Sequence, residues 1–224
     1  MITLSDVEAA RVRLGSNIRR APMLRADNLS APITDAAVHL KLECLQATGS
    51  FKARGATNRL LATPKDELAR GIVTASGGNH GVAVARTGRL AGVAAHVFVP
   101  TNISPPKLEK LKRWGAEVEL VGNVFDDAGR VVTIETITTI VPTMSCARTD
   151  EAVFELVRAV VDDIVLVEDA AMIEAAKWLW FEFGIAADLS GAAALAALKS
   201  GLVQVRPGES VCALVCGAGP EGIG

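Results

Sequence analysis

The chain has 224 residues, 50% of them apolar, which is enough for one sizeable core or two smaller ones and excludes disorder as the main state. Its 23 basic and 25 acidic residues leave a formal net charge of −2, so no basic excess stands ready to neutralise a nucleic-acid backbone. Residues 1–20 mix Asp6, Glu8 and four arginines with apolar positions, unlike a signal peptide or a membrane span, and no later run reaches bilayer length. A soluble protein, with no membrane partner, is expected. Scattered Cys44, Cys146, Cys212 and Cys216, without a C-x-x-C spacing, point to a reducing cytoplasm. Three separated histidines offer no metal-ligand spacing, and tyrosine is absent from every catalytic role.

In chain order, residues 5–14 read as a helix opened by a capping box of Ser5 and Glu8. Alternation from Val38 to Leu42 reads as a half-buried strand, and residues 47–50 lead from it into helical sequence. Strand and helix patterns then take turns: a strand at 72–75, a helix at 79–91, a strand at 94–99, a helix at 104–114 capped by Ser104 with Pro105 first, and a strand at 117–121. Such alternation predicts α/β domains with largely parallel sheets, since parallel neighbours need helical crossovers. Residues 122–130 break the pattern, being too few for a crossover before the apolar run at Val131. Helices at 151–161, 170–183 and 190–199 and strands at 164–167 and 211–215 complete the reading. His39 and His96 fall in strands, and Trp114, Trp178 and Trp180 read as packing residues.

Three segments could carry chemistry. In Gly49-Ser50-Phe51-Lys52 a lysine starts a helix, where the dipole opposes a cation and favours the free amine of a nucleophile; the ordinary reading is a solvated lysine. Ser76-Gly77-Gly78-Asn79-His80-Gly81 joins a strand to a helix, so its N–H groups form a nest for a carboxylate or phosphate, or serve as a plain turn. Cys216-Gly217-Ala218-Gly219 follows the last strand, where open α/β sheets place ligands; a buried inert thiol is the other reading. Asp188, in Asp188-Leu189-Ser190-Gly191, reads as a helix cap, with a ligand contact as the other reading.

Together, Lys41-Leu42-Glu43, Gln46, Thr48-Gly49-Ser50-Phe51-Lys52 and Arg54-Gly55-Ala56 resemble the lysine motif of the threonine/serine dehydratase and serine racemase family, pyridoxal-phosphate enzymes of fold type II. Ser76 to Gly81, Gly115-Ala116-Glu117-Val118, Ser190-Gly191-Ala192-Ala193 and Cys216-Gly217-Ala218 resemble further motifs of that family. The resemblance implies a tryptophan synthase β-like fold of two open α/β domains. A large cofactor-binding domain would comprise 1–70 plus 128–224, and a small substrate-closing domain 71–127. It implies that Lys52 is the catalytic residue and holds pyridoxal 5'-phosphate as a Schiff base, that Phe51 packs on the ring, and that Asn79 bonds its 3-oxygen. Cys216, with Gly217 beside it, would face the ring nitrogen without a carboxylate, a weak electron sink that favours elimination. Ser76, Gly77, Gly78, Asn79 and His80 would hold the substrate carboxylate.

The implied function is an L-threonine/L-serine dehydratase (ammonia-lyase) giving a 2-oxo acid and ammonia by β-elimination of hydroxyl, in a cytoplasmic homodimer whose partner is a small amino-acid substrate and not nucleic acid. A serine racemase, a hydroxyaspartate ammonia-lyase or a cofactor-less paralogue are the alternatives. Gly77 speaks against racemisation, since racemases of the family resemble this loop but place there a serine hydroxyl that returns a proton. Asp188 and Gly219 depart from the family's usual glutamate and asparagine. The family's run of about four glycines for the cofactor phosphate has no counterpart in the chain, nor do ligands for a divalent cation, whose site would follow it. The sequence is therefore expected to join segments of a longer polypeptide, once between Asp127 and Val131 and once between Cys146 and Asp150.

Overall fold

Thr3, two residues ahead of the expected Ser5, caps α1 (Leu4–Leu14). Its hydroxyl accepts from the Asp6 N–H at 3.3 Å while the Asp6 carboxylate accepts from the Thr3 N–H at 2.8 Å. That reciprocal pair replaces the capping box predicted at Ser5 and Glu8, because Thr3, one residue outside the helix, already satisfies the first turn together with Asp6 inside it. The computed structural model describes residues 2–122, 138–141, 143–145 and 150–223. By contact the described residues form two compact units, 2–19 with 52–122, and 20–51 with 138–141, 143–145 and 150–223.

The first unit holds α1, α2 (Lys52–Ala62), α3 (Lys65–Leu68), β3 (Ile72–Ala75), α4 (Asn79–Ala91), β4 (Ala95–Val99), α5 (Pro105–Arg113) and β5 (Glu117–Leu120). Its strands run parallel in the order β3-β4-β5. Val82 and Ala85 of α4, Val97 and Val99 of β4 and Leu111 of α5 form the core, all nearly inaccessible. Ser104 precedes α5 as expected, but its carbonyl rather than its side chain receives the N–H groups of Lys107 and Leu108. Arg86, buried on α4, donates to Thr57 Oγ1 of α2 and to the Asn17 carbonyl just after α1, and so ties three helices together. By contact the first unit takes in residues 2–19 and 52–70, which the expected division places with the cofactor-binding domain; α2 packs there with α1 and α4.

The second unit holds β1 (Met23–Arg25), β2 (Ala37–Lys41), α6 (Glu151–Val160), α7 (Asp169–Phe183), α8 (Leu189–Lys199) and β6 (Ser210–Leu214). β2 is central, antiparallel to β1 and parallel to β6. Val38 and Leu40 of β2 pack with Met172, Ala175 and Leu179 of α7 and with Ala192, Leu195 and Ala196 of α8. The alanines let the two helices approach closely, and burial of each larger side chain contributes about 1.5–3 kcal/mol. Asp188 caps α8 as expected, its carboxylate accepting from the Gly191 N–H at 2.6 Å and the Ser190 hydroxyl at 2.8 Å. Trp178 meets Phe183 edge-on and lies under the Lys199 ammonium.

The strand expected at 164–167 does not form: Ile164 is 71% and Leu166 90% exposed, and no described strand pairs with the segment. An apolar run becomes a strand only where a sheet edge meets it. Both expected joins, the run at Val131 and the expected domain border at 127 lie outside the described residues. Among the described residues no helix is long and apolar enough to cross a membrane.

Candidate active site

In the first unit, Lys52 is the first residue of α2 and is exposed. The loop from β3 reaches α4 through Ser76, Gly77 and Gly78, and the Gly78 N–H donates to Ser76 Oγ at 3.4 Å. Gly78 caps α4 without any side-chain hydrogen bond, and the first return bond runs from the Val82 N–H to the Gly78 carbonyl. The first N–H groups of any helix lack an acceptor inside it and face out along its axis, a position that suits a carboxylate. Gly81 makes this possible, since a Cβ there would stand 1.8 Å from the Ser76 carbonyl oxygen. His80 follows Asn79 in the first turn; burial, and after it the Lys52 charge, hold its pKa below the ordinary value of 6.5. The amine and the anion-binding loop therefore lie within electrostatic reach of each other.

In the second unit, the segment ahead of Lys52 is fastened to the final loop. The Phe51 N–H donates to the Cys216 carbonyl at 3.0 Å, the Ala218 N–H to the Gly49 carbonyl at 2.8 Å, and Ser50 bridges Gly217. Thr48 turns the chain with φ of 67°. The Cys216 thiol lies 3.4 Å from the Ser190 carbonyl at the start of α8. Cys44, whose N–H donates to the Val215 carbonyl at 2.8 Å, is buried, and burial pushes its thiol up to about 11. It is a packing thiol, distinct in role from Cys216. Two buried hydroxyls within the lysine motif, Thr48 Oγ1 and Ser50 Oγ, have no hydrogen-bond partner among the described residues.

The pyridoxal-phosphate dependent enzyme family matches at residues 14–133 and 125–217, most of the chain. The chain belongs to that family. A protein named L-threonine dehydratase catabolic TdcB, from Staphylococcus aureus, is 39% identical over 127 residues, which is 57% of this chain and 37% of that protein. The chain thus spans little more than a third of the length of the curated relatives it matches. Among solved structures, maize serine racemase superposes with a TM-score of 0.84 at 21% identity, covering 96% of this chain and 93% of that one. Threonine deaminase isoform 2 of Solanum lycopersicum superposes with a TM-score of 0.81 at 19% identity, covering 97% and 86%. These likenesses establish the fold, the fold type II architecture expected from the motifs.

The residues of each unit suit the coenzyme the family's name implies. The first unit supplies a primary amine and a carboxamide, Lys52 and Asn79, and the second supplies an exposed ring (Phe51), a thiol (Cys216) and the orphaned hydroxyls of Thr48 and Ser50. A buried hydroxyl without a partner is costly, so such a pair marks a place where a polar ligand completes the site. The motif reading passed over these two hydroxyls and the Ser190 carbonyl. Thr48 and Ser50 stand inside the quoted lysine motif, so their type was visible while their burial was not. Among the described residues no group of three histidine, cysteine or acidic side chains is placed to hold a metal ion.

Proposed function

We propose that the chain is a pyridoxal-phosphate-dependent ammonia-lyase that removes water and then ammonia from L-threonine or L-serine to give a 2-oxo acid. The observation that supports this most is that Lys52, at the start of α2, and the 76–80 loop, at the start of α4, belong to one compact unit in which α2 packs on α4. Lys52 carries the catalytic role and holds the coenzyme; Phe51, Asn79, Cys216 and Gly217 also hold it. When bound, pyridoxal phosphate supplies the electron withdrawal that makes the substrate α-proton acidic.

The chain's own groups do the rest. The N–H groups of Ser76, Gly77, Gly78, Asn79 and His80 fix the substrate carboxylate, which orients the Cα–H bond towards Lys52 Nζ. Lys52 Nζ takes that proton, and the electron pair left behind expels the β-hydroxyl, which departs as water once protonated. The resulting unsaturated amine then takes up water and releases ammonia. In this reading the large division holds the coenzyme and the small one closes over substrate, and the enzyme is a cytoplasmic homodimer.

The test is direct: the purified chain with pyridoxal phosphate is given L-threonine or L-serine and the 2-oxo acid is measured. Steady formation from either substrate supports the assignment. None from either, in a folded protein that has bound the coenzyme, overturns it.

A further inference from the structure

The first unit contains a cleft of about 390 Å³ among α2, α3, β3 and α4, within the roughly 300–1,000 Å³ range of small-molecule sites. Leu60 of α2, Leu68 of α3 and Val84 of α4 give it apolar walls, and His80 also lines it. Two opposite charges share it as well, Arg59 from α2 and Glu67 from α3. Among the described residues neither side chain has an ion-pair or hydrogen-bond partner, so the two do not close on each other. Opposite charges that line one cleft without pairing can each meet the matching end of a molecule bearing both signs, and the apolar walls ask that its body be aliphatic.

We propose that this cleft binds the zwitterion of an aliphatic α-amino acid, its carboxylate on Arg59, its ammonium on Glu67 and its side chain against Leu60, Leu68 and Val84. Arg59 lies seven residues past Lys52 on α2. That is about 10 Å along the helix axis. Lys52 does not line the cleft, so this site is separate from the lysine-centred one. His80 belongs to both, which gives an occupant a physical route to the carboxylate-binding loop. The binding step needs no coenzyme and stands apart from the reaction assigned above.

Calorimetric titration of the full chain with L-valine, which has no β-hydroxyl to lose, tests the site; isobutyrate and isobutylamine serve as probes carrying one charge each. Saturable L-valine binding is expected in the wild type and in Lys52→Ala. It should weaken about tenfold or more in Arg59→Gln and in Glu67→Gln, a loss of about 1.4 kcal/mol, and the singly charged probes should bind more weakly than L-valine. Both substituted side chains are exposed, so melting curves matching the wild type are expected. Absence of saturable binding, or binding that survives both charge removals unchanged, overturns the proposal.

Discussion

Lys52 and His80 make a coupled pair that can be read without any turnover. Burial first and the Lys52 ammonium second keep the imidazole neutral below its ordinary pKa, so replacing Lys52 removes one of the two causes. In Lys52→Met the His80 titration followed by NMR should move towards 6.5; a midpoint that stays put or falls would contradict their proximity. Because the folded-state value is depressed, His80 contributes stability above its unfolded pKa that is lost as pH falls through the folded value. For activity, Lys52→Ala should abolish 2-oxo acid formation, and retained turnover above about one hundredth of wild type would contradict the assigned role. Gly77 decides a second question at this scale. A Cβ there would face Ile103 Cδ1 at 2.9 Å and Val99, towards the core of the unit, and the glycine itself has no proton to give. From L-serine, D-serine should therefore form far more slowly than pyruvate; comparable rates would favour a racemase.

At the scale of elements, Arg86 is the clearest dependence. Its guanidinium satisfies Thr57 Oγ1 and the Asn17 carbonyl, and Thr57 is fully buried, so Arg86→Leu leaves an inner hydroxyl and a carbonyl unpaired. The expected loss is about 1–3 kcal/mol in urea unfolding, and a change below about 0.5 kcal/mol would show the tie to be idle. Elements also show what the sequence could and could not tell. β3 and α4 were legible to the residue, because an apolar run and a helical period are bounded there by Gly71, by the Ser76–Gly78 turn and by Gly92 in a left-handed cap. The cap at Asp188 was legible too, since its carboxylate acts on the residues that follow it directly. The segment 164–167 misled because burial depends on a neighbouring strand, which local pattern does not contain. The same limit hid the orphaned hydroxyls of Thr48 and Ser50: their partners are decided by what folds over them.

For the whole molecule, family membership rests on motifs in both compact units. The lysine follows the second unit's last residue before the border, Phe51, and the carboxylate loop lies in the first. The chain matches the family over most of its length while spanning little more than a third of its curated relatives, and its sequence holds no run of four glycines for the coenzyme phosphate. Whether it holds pyridoxal phosphate on Lys52 is therefore the claim on which the functional reading turns. The most direct measurement is to incubate the purified chain with pyridoxal phosphate, record its absorbance in the violet region, reduce with borohydride and locate the added mass by peptide mass spectrometry. A violet band lost on reduction, with the coenzyme's mass on the peptide carrying Lys52 and absent in Lys52→Ala, is the predicted result. No band, or mass spread over other lysines and undiminished in Lys52→Ala, would contradict it.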